Sequence, residues 1–328
     1  MQWKWSEIGG ESGKSGRVYN YPLTFGPRMI MMEQKRTEGL ASLEELLDMM
    51  VSEGNITLDT SNLIQAISNG AKIVSAITRY PLARVRAGKD GDRYLAAAKT
   101  AFTEEIKENK GDIGLLFIKD DSEPALVYNG GNTAVSLTPI LCPDNIVSGL
   151  PAGTVFMLSD MEWDGLRPRL GGYIMYSSVT VMIVNIGDVV MEFTLDQEDV
   201  FRLTDENVNI PDSEENYFNV NDIDVNIENA TMRVRSEKDC LIPDVHQIIK
   251  NGGVMIDTKG DHSTQFLLSP ISILVTQAGG IATNGTTPVL ELKPKYQNET
   301  SPFYIGQSKM VEKLLENLYN DEMQSYFP

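Results

Sequence analysis

The sequence predicts an α/β protein of one large domain or two packed domains, and three observations carry this prediction. The chain has 328 residues, of which 41% are hydrophobic, and this is enough to bury a substantial core. In the first third of the chain, apolar residues recur at the three- and four-residue spacing of amphipathic helices. From Thr154 onward, short apolar runs rich in β-branched residues are typical of buried strands.

Three helices are predicted before the strands begin. Leucines and methionines at helical spacing indicate the first helix, over residues 42–53. The second covers residues 60–79 and ends before Pro81, whose ring cannot continue a helix. The third is predicted over residues 91–108, and a short apolar strand follows at residues 113–118.

The rest of the chain is predicted to contain mainly strands, with three more helices. Strands are expected at residues 154–158, 172–176, 179–185, 190–195, 200–203, 254–257, 289–292 and 303–305. Helices are expected at residues 244–251, 269–277 and 309–319. An acidic, asparagine-rich stretch at residues 205–230 is predicted to be a linker between two subdomains.

The charge of the chain argues against two classes of partner. Lys and Arg total 28 against 46 Asp and Glu, so the formal net charge is -18. Nucleic acids and anionic membrane surfaces are therefore unlikely partners, because binding a polyanion requires a basic surface. No apolar run reaches the roughly 18 residues of a membrane span, and we expect no transmembrane segment. The N-terminus shows no apolar core of a signal peptide, while a removed transit peptide stays possible.

The chain has two cysteines, Cys142 and Cys240. This number is too small for a disulfide framework or a four-thiolate metal site, and it favours a reducing compartment. Cys142 is open to two interpretations, a redox thiol or a small core residue, and we favour the core residue.

Residues 1–35 are rich in glycine and aromatic residues, and they are either a flexible terminus or a docking arm. We favour a docking arm, because aromatic side chains are costly to expose and often anchor interfaces. The arm is expected to contact protein partners, and a homo-oligomer is also possible. The anchoring aromatics are Trp3, Trp5, Tyr19, Tyr21 and Phe25.

Several blocks of the chain resemble one known family. The block at residues 243–253 reads P-D-V-H-Q-I-I-K-N-G-G, where the family has A-D-V-H-x-x-L-x-x-G-G. The runs at residues 276–285 and 301–306 resemble the end of the same family, and residues 172–181 are similar to its plant and algal branch. Taken in order over about residues 40 to 320, these blocks resemble class I fructose-1,6-bisphosphatase.

The resemblance implies a sugar-phosphatase fold with layers in the order α-β-α-β-α. It implies a regulatory-like subdomain over residues 36–210 and a sugar-phosphate-binding-like subdomain over residues 211–328, after the arm at 1–35. In this family, carboxylates hold magnesium ions that polarise phosphate and activate water. The likeness to the plant and algal branch makes a plastid the expected location, with the cytoplasm as the other possibility.

The positions that match the metal ligands of the family carry other residues. The family loop reads F-D-P-L-D-G-S-S-N-I-D, and its alignment through Pro139, Asn145 and Ile146 places its two metal-binding aspartates on Thr138 and Leu141. The pair of glutamates falls on Lys119 and Asp120, and a later glutamate ligand falls on Leu267. Magnesium prefers hard oxygen ligands, mostly carboxylates, so we expect a degenerate metal site.

The positions of the phosphate and sugar pocket have changed as well. The phosphate-cradling Gly-Ser-Ser falls on residues 142–144, so that Asp144 brings a negative charge to the position where phosphate is expected. Asn145 and Asn221 match family positions, while a family tyrosine falls on Asp257. A bisphosphate pocket needs cations and forked donors, and these positions supply acidic or neutral groups instead.

Three functions follow from the resemblance and these departures. The leading hypothesis is a pseudoenzyme, a scaffold subunit without phosphatase activity that has no catalytic residue and needs no cofactor. The alternative is a diverged but active sugar bisphosphatase, a phosphoric monoester hydrolase of the fructose-1,6-bisphosphate 1-phosphohydrolase type, and only this alternative requires magnesium. A third possibility is a sensor that binds a nucleotide or a sugar phosphate without turnover.

Overall fold

A computed structural model describes residues 39–79, 91–108, 112–162, 165–212, 217–220, 231–234 and 240–316. The predicted arm at residues 1–35, with its five aromatics, lies outside the described residues, and so does Asn221. The predicted subdomain boundaries stay predictions. In the described part of the chain, no helix has the length and the apolar character needed to span a bilayer.

Three helices form the N-terminal part of the structure, as the periodicity predicts. They are α1 (Leu43–Ser52), α2 (Leu58–Arg79) and α3 (Gly91–Glu108). A capping box starts α1: the Ser42 hydroxyl accepts from the Glu45 amide, and the Glu45 carboxylate accepts from the Ser42 amide. The apolar side chains of α1 and α2 face the same core, and this one-sided burial explains the helical spacing of apolar residues in the sequence.

The next eight strands form one sheet. Their bounds are β1 (Ile113–Ile118), β2 (Ala125–Leu126), β3 (Thr133–Leu141), β4 (Ala152–Glu162), β5 (Gly165–Tyr176), β6 (Thr180–Ile186), β7 (Val189–Leu195) and β8 (Phe201–Asp205). The strand order is β2-β1-β3-β4-β5-β6-β7-β8. Among the described strands of this sheet, only β1 and β3 pair in parallel, and the short helix α4 (Pro143–Val147) connects β3 to β4.

A second sheet contains five strands. The elements of this half are β9 (Tyr217–Val220), β10 (Thr231–Val234), α5 (Leu241–Asn251), β11 (Val254–Asp257), α6 (Ser269–Gln277), β12 (Gly280–Thr283) and β13 (Phe303–Gln307). The strand order is β10-β9-β11-β13-β12. A last helix, α7, covers residues 308–316. The predicted strand at 254–257 and the predicted helix at 269–277 are both confirmed.

Two apolar clusters cover the two faces of the large sheet. The first cluster joins the helices α1, α2 and α3 to one face and includes Phe102 and Phe156. The second cluster joins the other face to α5, α6 and the five-stranded sheet, and it includes Tyr173 and Ile248. Neighbouring residues of one strand therefore belong to different clusters, as the alternation of a two-sided buried sheet requires.

A third, smaller cluster covers the far face of the five-stranded sheet. It joins Val254 and Ile256 of β11 to Val311 and Leu314 of α7, while Met255 between them faces the second cluster. The layers therefore run helices, sheet, helices, sheet, helix. This order confirms the predicted α-β-α-β-α arrangement.

Two expectations about local structure need correction. The predicted strand at residues 289–292 is wrong, because Val289–Glu291 forms a 3-10 turn in which the Leu292 amide donates to the Val289 carbonyl. An apolar run this short does not distinguish a buried turn from a strand. The acidic stretch at residues 205–230 is not purely a linker. It contains β9, and the buried Val208 donates its amide to the Val190 carbonyl.

Candidate functional site

A small cavity lies where β1 and β3 end side by side. Parallel strands bring their carboxyl ends to the same edge of a sheet, and the Lys119 amide extends the pairing by donating to the Leu137 carbonyl at 2.9 Å. The cavity has a volume of about 150 Å³. Its lining consists of Leu95 of α3, Lys119, Asp120 and residues 138–143. Four positions that the sequence singled out, Lys119, Asp120, Thr138 and Leu141, therefore meet around one cavity.

The charged groups of the cavity neutralise each other. The Lys119 ammonium lies 3.0 Å from the Asp120 carboxylate, whose side chain is 69% exposed. Asp120 also has a left-handed backbone, with φ of 71°. The next carboxylate, that of Asp121, pairs with Lys99 of α3. The Lys119 ammonium repels cations, and the exposed Asp120 is the only acidic side chain among the lining residues that the structure describes.

The hydroxyl of Thr138 is buried and forms a hydrogen bond inside the core. The side chain is buried, and its hydroxyl donates to the Phe266 carbonyl at 3.3 Å. Phe266 belongs to a buried π-helical turn, Thr264–Leu268, that follows β11. The side-chain amide of Gln265 in the same turn donates through Nε2 to the Ser136 hydroxyl at 3.0 Å. These two hydrogen bonds fasten the turn to β3.

Leu267 lies in the same π-helical turn and is an ordinary core side chain. It is 2% exposed and belongs to the second apolar cluster, against which Leu141 and Cys142 also pack. The two positions that match family carboxylates, Leu141 and Leu267, therefore contribute apolar contacts to one cluster. A carboxylate at Leu267 would be buried among apolar neighbours.

The turn between β3 and α4 keeps a tight geometry that Asn145 stabilises. Cys142 has a left-handed backbone, with φ of 58°, at the position that matches a family glycine. The Asn145 amide nitrogen donates to the Cys142 carbonyl at 3.0 Å, and the Asn145 side chain donates to the Pro151 carbonyl at 2.8 Å. Asp144 is exposed, and its carboxylate lies against Gly91 at the start of α3 and does not line the cavity.

Asp257 lies at the end of β11 and is fully buried. One carboxylate oxygen accepts from the Gly260 amide at 3.1 Å, and the other lies 3.4 Å from His262 Nε2. Asp257 does not line the cavity. The structure therefore does not bring it together with Lys119, Asp120, Thr138 and Leu141.

Sequence reasoning missed a polar cluster between the large sheet and α5. Tyr173 and His246 share a hydrogen bond of 2.9 Å through the phenol oxygen and Nδ1, and Lys250 lies 2.9 Å from Glu192. Burial lowers the pKa of His246. Burial and the charge of Glu192 raise the pKa of Tyr173 well above its usual value. The sequence pattern that could have predicted this cluster is the spacing of His246 and Lys250, which lie one turn apart on the same face of α5.

Comparison with known proteins finds similarity to fructose-1,6-bisphosphatases. Residues 197–319 match the family model "Fructose-1-6-bisphosphatase, C-terminal domain". The chain is 25% identical over 303 residues to a class 1 fructose-1,6-bisphosphatase of Sulfurihydrogenibium sp. (strain YO3AOP1), which covers 81% of this chain and 94% of that protein. It is 28% identical over 316 residues to a cytosolic fructose-1,6-bisphosphatase of Brassica napus, which covers 83% of this chain and 91% of that protein.

The chain is therefore similar to fructose-1,6-bisphosphatases over most of its length. Solved structures agree at the level of the fold. Leishmania major fructose-1,6-bisphosphatase in its holo form aligns with a TM-score of 0.74 at 18% identity, over 86% of this chain and 99% of that chain. The T-state structure of the same enzyme aligns with a TM-score of 0.73. The family resemblance read from the sequence is confirmed.

The described lining of the cavity does not fit the magnesium that the resemblance to fructose-1,6-bisphosphatases implies. Magnesium requires several oxygen ligands, usually carboxylates, in an octahedral arrangement. The matching positions here supply the Lys119 ammonium, the ion-paired Asp120, a hydroxyl that is bonded to a carbonyl, and two leucines. Across the described residues as a whole, no three His, Cys, Asp or Glu side chains form a group that could hold a metal ion.

Proposed function

We propose that this chain is a fructose-1,6-bisphosphatase-like protein without phosphatase activity, which serves as a structural or regulatory subunit of a larger assembly. The observation that carries the proposal is the side-chain set at the cavity. Lys119 and Asp120 neutralise each other, and Thr138 donates its hydroxyl to Phe266. Leu141 and Leu267 pack against or within the second apolar cluster.

The chemistry of phosphate transfer supports the proposal. Catalysis of this reaction consists mainly of positioning and of stabilising the charge on the transferring group. Among the described residues that line the cavity, Lys119 is the only cationic side chain, and its ammonium pairs with the Asp120 carboxylate. The described part of the cavity lining offers no second cation that could hold a doubly phosphorylated sugar.

A phosphate-release assay tests the proposal directly. The purified full chain would be incubated with fructose 1,6-bisphosphate and magnesium, and we expect phosphate release at the level of the buffer. The matched control is Thr138→Val, which keeps the shape of the side chain at the cavity and removes its hydroxyl. Release above background by the native chain would overturn the proposal, and a decrease in the variant would place that activity at this cavity.

The alternative is an active magnesium-dependent sugar bisphosphatase. The two relatives described above are fructose-1,6-bisphosphatases, which favours this alternative, and so does the exposed Asp120 carboxylate at the cavity. Its test is calorimetry with magnesium alone, comparing the native chain with Asp120→Asn. Magnesium binding that disappears in the variant would support this alternative, and no binding in either protein would reject it.

The proposed assembly would involve the aromatic residues of the arm. The apolar aromatics in residues 1–35 and the net charge of -18 both suit a protein partner. Light scattering of the full chain and of a chain that starts at residue 36 tests for self-association through the arm. A larger mass for the full chain is the expected result if the partner is a second copy, and equal masses direct the search to other proteins.

The plastid remains a proposed location. The plant relative is named as cytosolic, so the comparison favours neither compartment. Fluorescence microscopy of the tagged protein in its own cells would decide between them.

A further inference from the structure

The two cysteines of the chain lie far apart in the sequence and close together in the fold. Cys240 Sγ lies 3.9 Å from the carbonyl oxygen of Leu141, the residue bonded to Cys142. Both cysteines are present as thiols. The chain has no other cysteine, so both of its thiols lie in this region.

The packing of α5 against the large sheet holds the two cysteines near each other. Leu141 at the end of β3 pairs with Gly153 of β4. The side chain of Ile242, two residues after Cys240, packs on Gly153, and its Cγ1 lies 2.8 Å from the point where a Cβ would stand. The first turn of α5 is therefore seated across the ends of β3 and β4, beside the Cys142 turn.

The two thiols differ in their access to solvent. Cys142 is half-buried and lines the cavity, while Cys240 is 4% exposed and belongs to the second apolar cluster. The Cys142 side chain packs against that same cluster. A reagent that enters the cavity therefore meets the Cys142 side chain, while Cys240 is shielded within the apolar cluster.

We propose that Cys142 and Cys240 form a reversible thiol–disulfide site. The oxidant is a small disulfide such as oxidised glutathione. The Cys142 thiolate attacks one sulfur of the oxidant, which gives a mixed disulfide and releases one glutathione thiol. The Cys240 thiolate then attacks the Cys142 sulfur and releases the second glutathione. Two protein thiols become one disulfide, and one oxidised glutathione becomes two reduced molecules.

The crosslink would change the mechanics of the fold. It would tie the turn between β3 and α4 to the first turn of α5, and thus the large sheet to the middle helical layer. A disulfide that closes a long loop reduces the entropy of the unfolded chain, so the oxidised protein should melt at a higher temperature. The site does not depend on the proposed loss of phosphatase activity.

Mass spectrometry of the full chain tests the proposal. After treatment with oxidised glutathione, the intact mass should fall by two hydrogen atoms, and both thiols should stop reacting with a thiol reagent. Trypsin digestion without reductant should yield the peptides 120–169 and 239–250 joined by a disulfide. Dithiothreitol should separate them and restore the original melting temperature.

Two variants act as matched controls. With Cys240→Ser, the reaction should stop at a stable glutathione adduct on Cys142, because no second thiol displaces the glutathione. With Cys142→Ser, neither an adduct nor a crosslink should form, because Cys240 is shielded. A stable Cys142 adduct in the native chain, a disulfide only between two chains, or two unreacted thiols would overturn the proposal.

Discussion

Replacing Leu267 with glutamate would restore the carboxylate that the family carries at this position, and we expect it to destabilise the fold. The leucine is 2% exposed and lies inside the second apolar cluster. Loss of its burial costs about 2 kcal/mol. An unpaired buried carboxylate costs a further ~3 kcal/mol or more.

The sum, about 5 kcal/mol, is comparable to the whole stability of many domains. The loss of stability in Leu267→Glu should depend on pH, because burial raises the pKa of the introduced carboxyl above its value in the unfolded chain. The native state then binds the proton more tightly than the unfolded state. The penalty relative to the native sequence should therefore be full near neutral pH and become smaller as the pH falls.

The assay is urea unfolding followed by circular dichroism, at neutral and at mildly acidic pH. Leu267→Met is the control for volume and should cost less than about 1.5 kcal/mol. Leu267→Gln is the control for charge, and its penalty should not change with pH. A Leu267→Glu variant as stable as the native chain at both pH values would refute the reasoning that this position is committed to the core.

Three further predictions concern the backbone turn, the sheet and the polar cluster. At the left-handed Cys142, the variant Cys142→Gly should be more stable than Cys142→Ala by about 1 kcal/mol in urea unfolding, and equal stability would contradict a role of the backbone conformation. Gly171→Ala should lower the free energy of unfolding by about 2 kcal/mol, because the added methyl would lie 2.5 Å from the Pro270 carbonyl oxygen; an unchanged urea midpoint would show that α6 moves freely. Because burial lowers the pKa of His246 from 6.5, the unfolded chain takes up a proton more readily, so this contribution to stability is full above pH 6.5 and decreases below it. Unfolding measured from pH 7.5 to pH 5.5 should show a shallower loss in His246→Gln, and identical slopes would exclude His246 as the cause.

Much of the fold could be predicted from local patterns. The helices α1 to α3 have one apolar face each, so their period is visible without knowledge of their neighbours. Buried strands such as β6 are short apolar runs between turns and were found for the same reason. The short apolar run at residues 289–292 does not show by its pattern whether it is a strand or a buried turn, and in the structure it forms a 3-10 turn. Composition was misleading for residues 205–212, where Val208 is buried by contact with β7.

The candidate site was predictable by resemblance only in part. Lys119 and Thr138 were singled out by alignment, and their meeting at one cavity follows from the parallel pairing of β1 with β3. Asp144 was expected at the phosphate position, yet its carboxylate lies against Gly91. The direction of a side chain at a turn depends on the backbone angles of its neighbours, and these cannot be read from residue type.

The sequence alone determined the residue types at the former ligand positions and the alternation that stacks helices on sheets. Those properties are local, since each depends on one residue or one short period. Only the tertiary structure decided that the Thr138 hydroxyl is bonded to the Phe266 carbonyl, that Leu267 is a core residue, and that Cys240 lies beside the Cys142 turn. Each of these contacts joins segments about 100 residues or more apart, and such contacts form only when the layers pack and bury their apolar faces together.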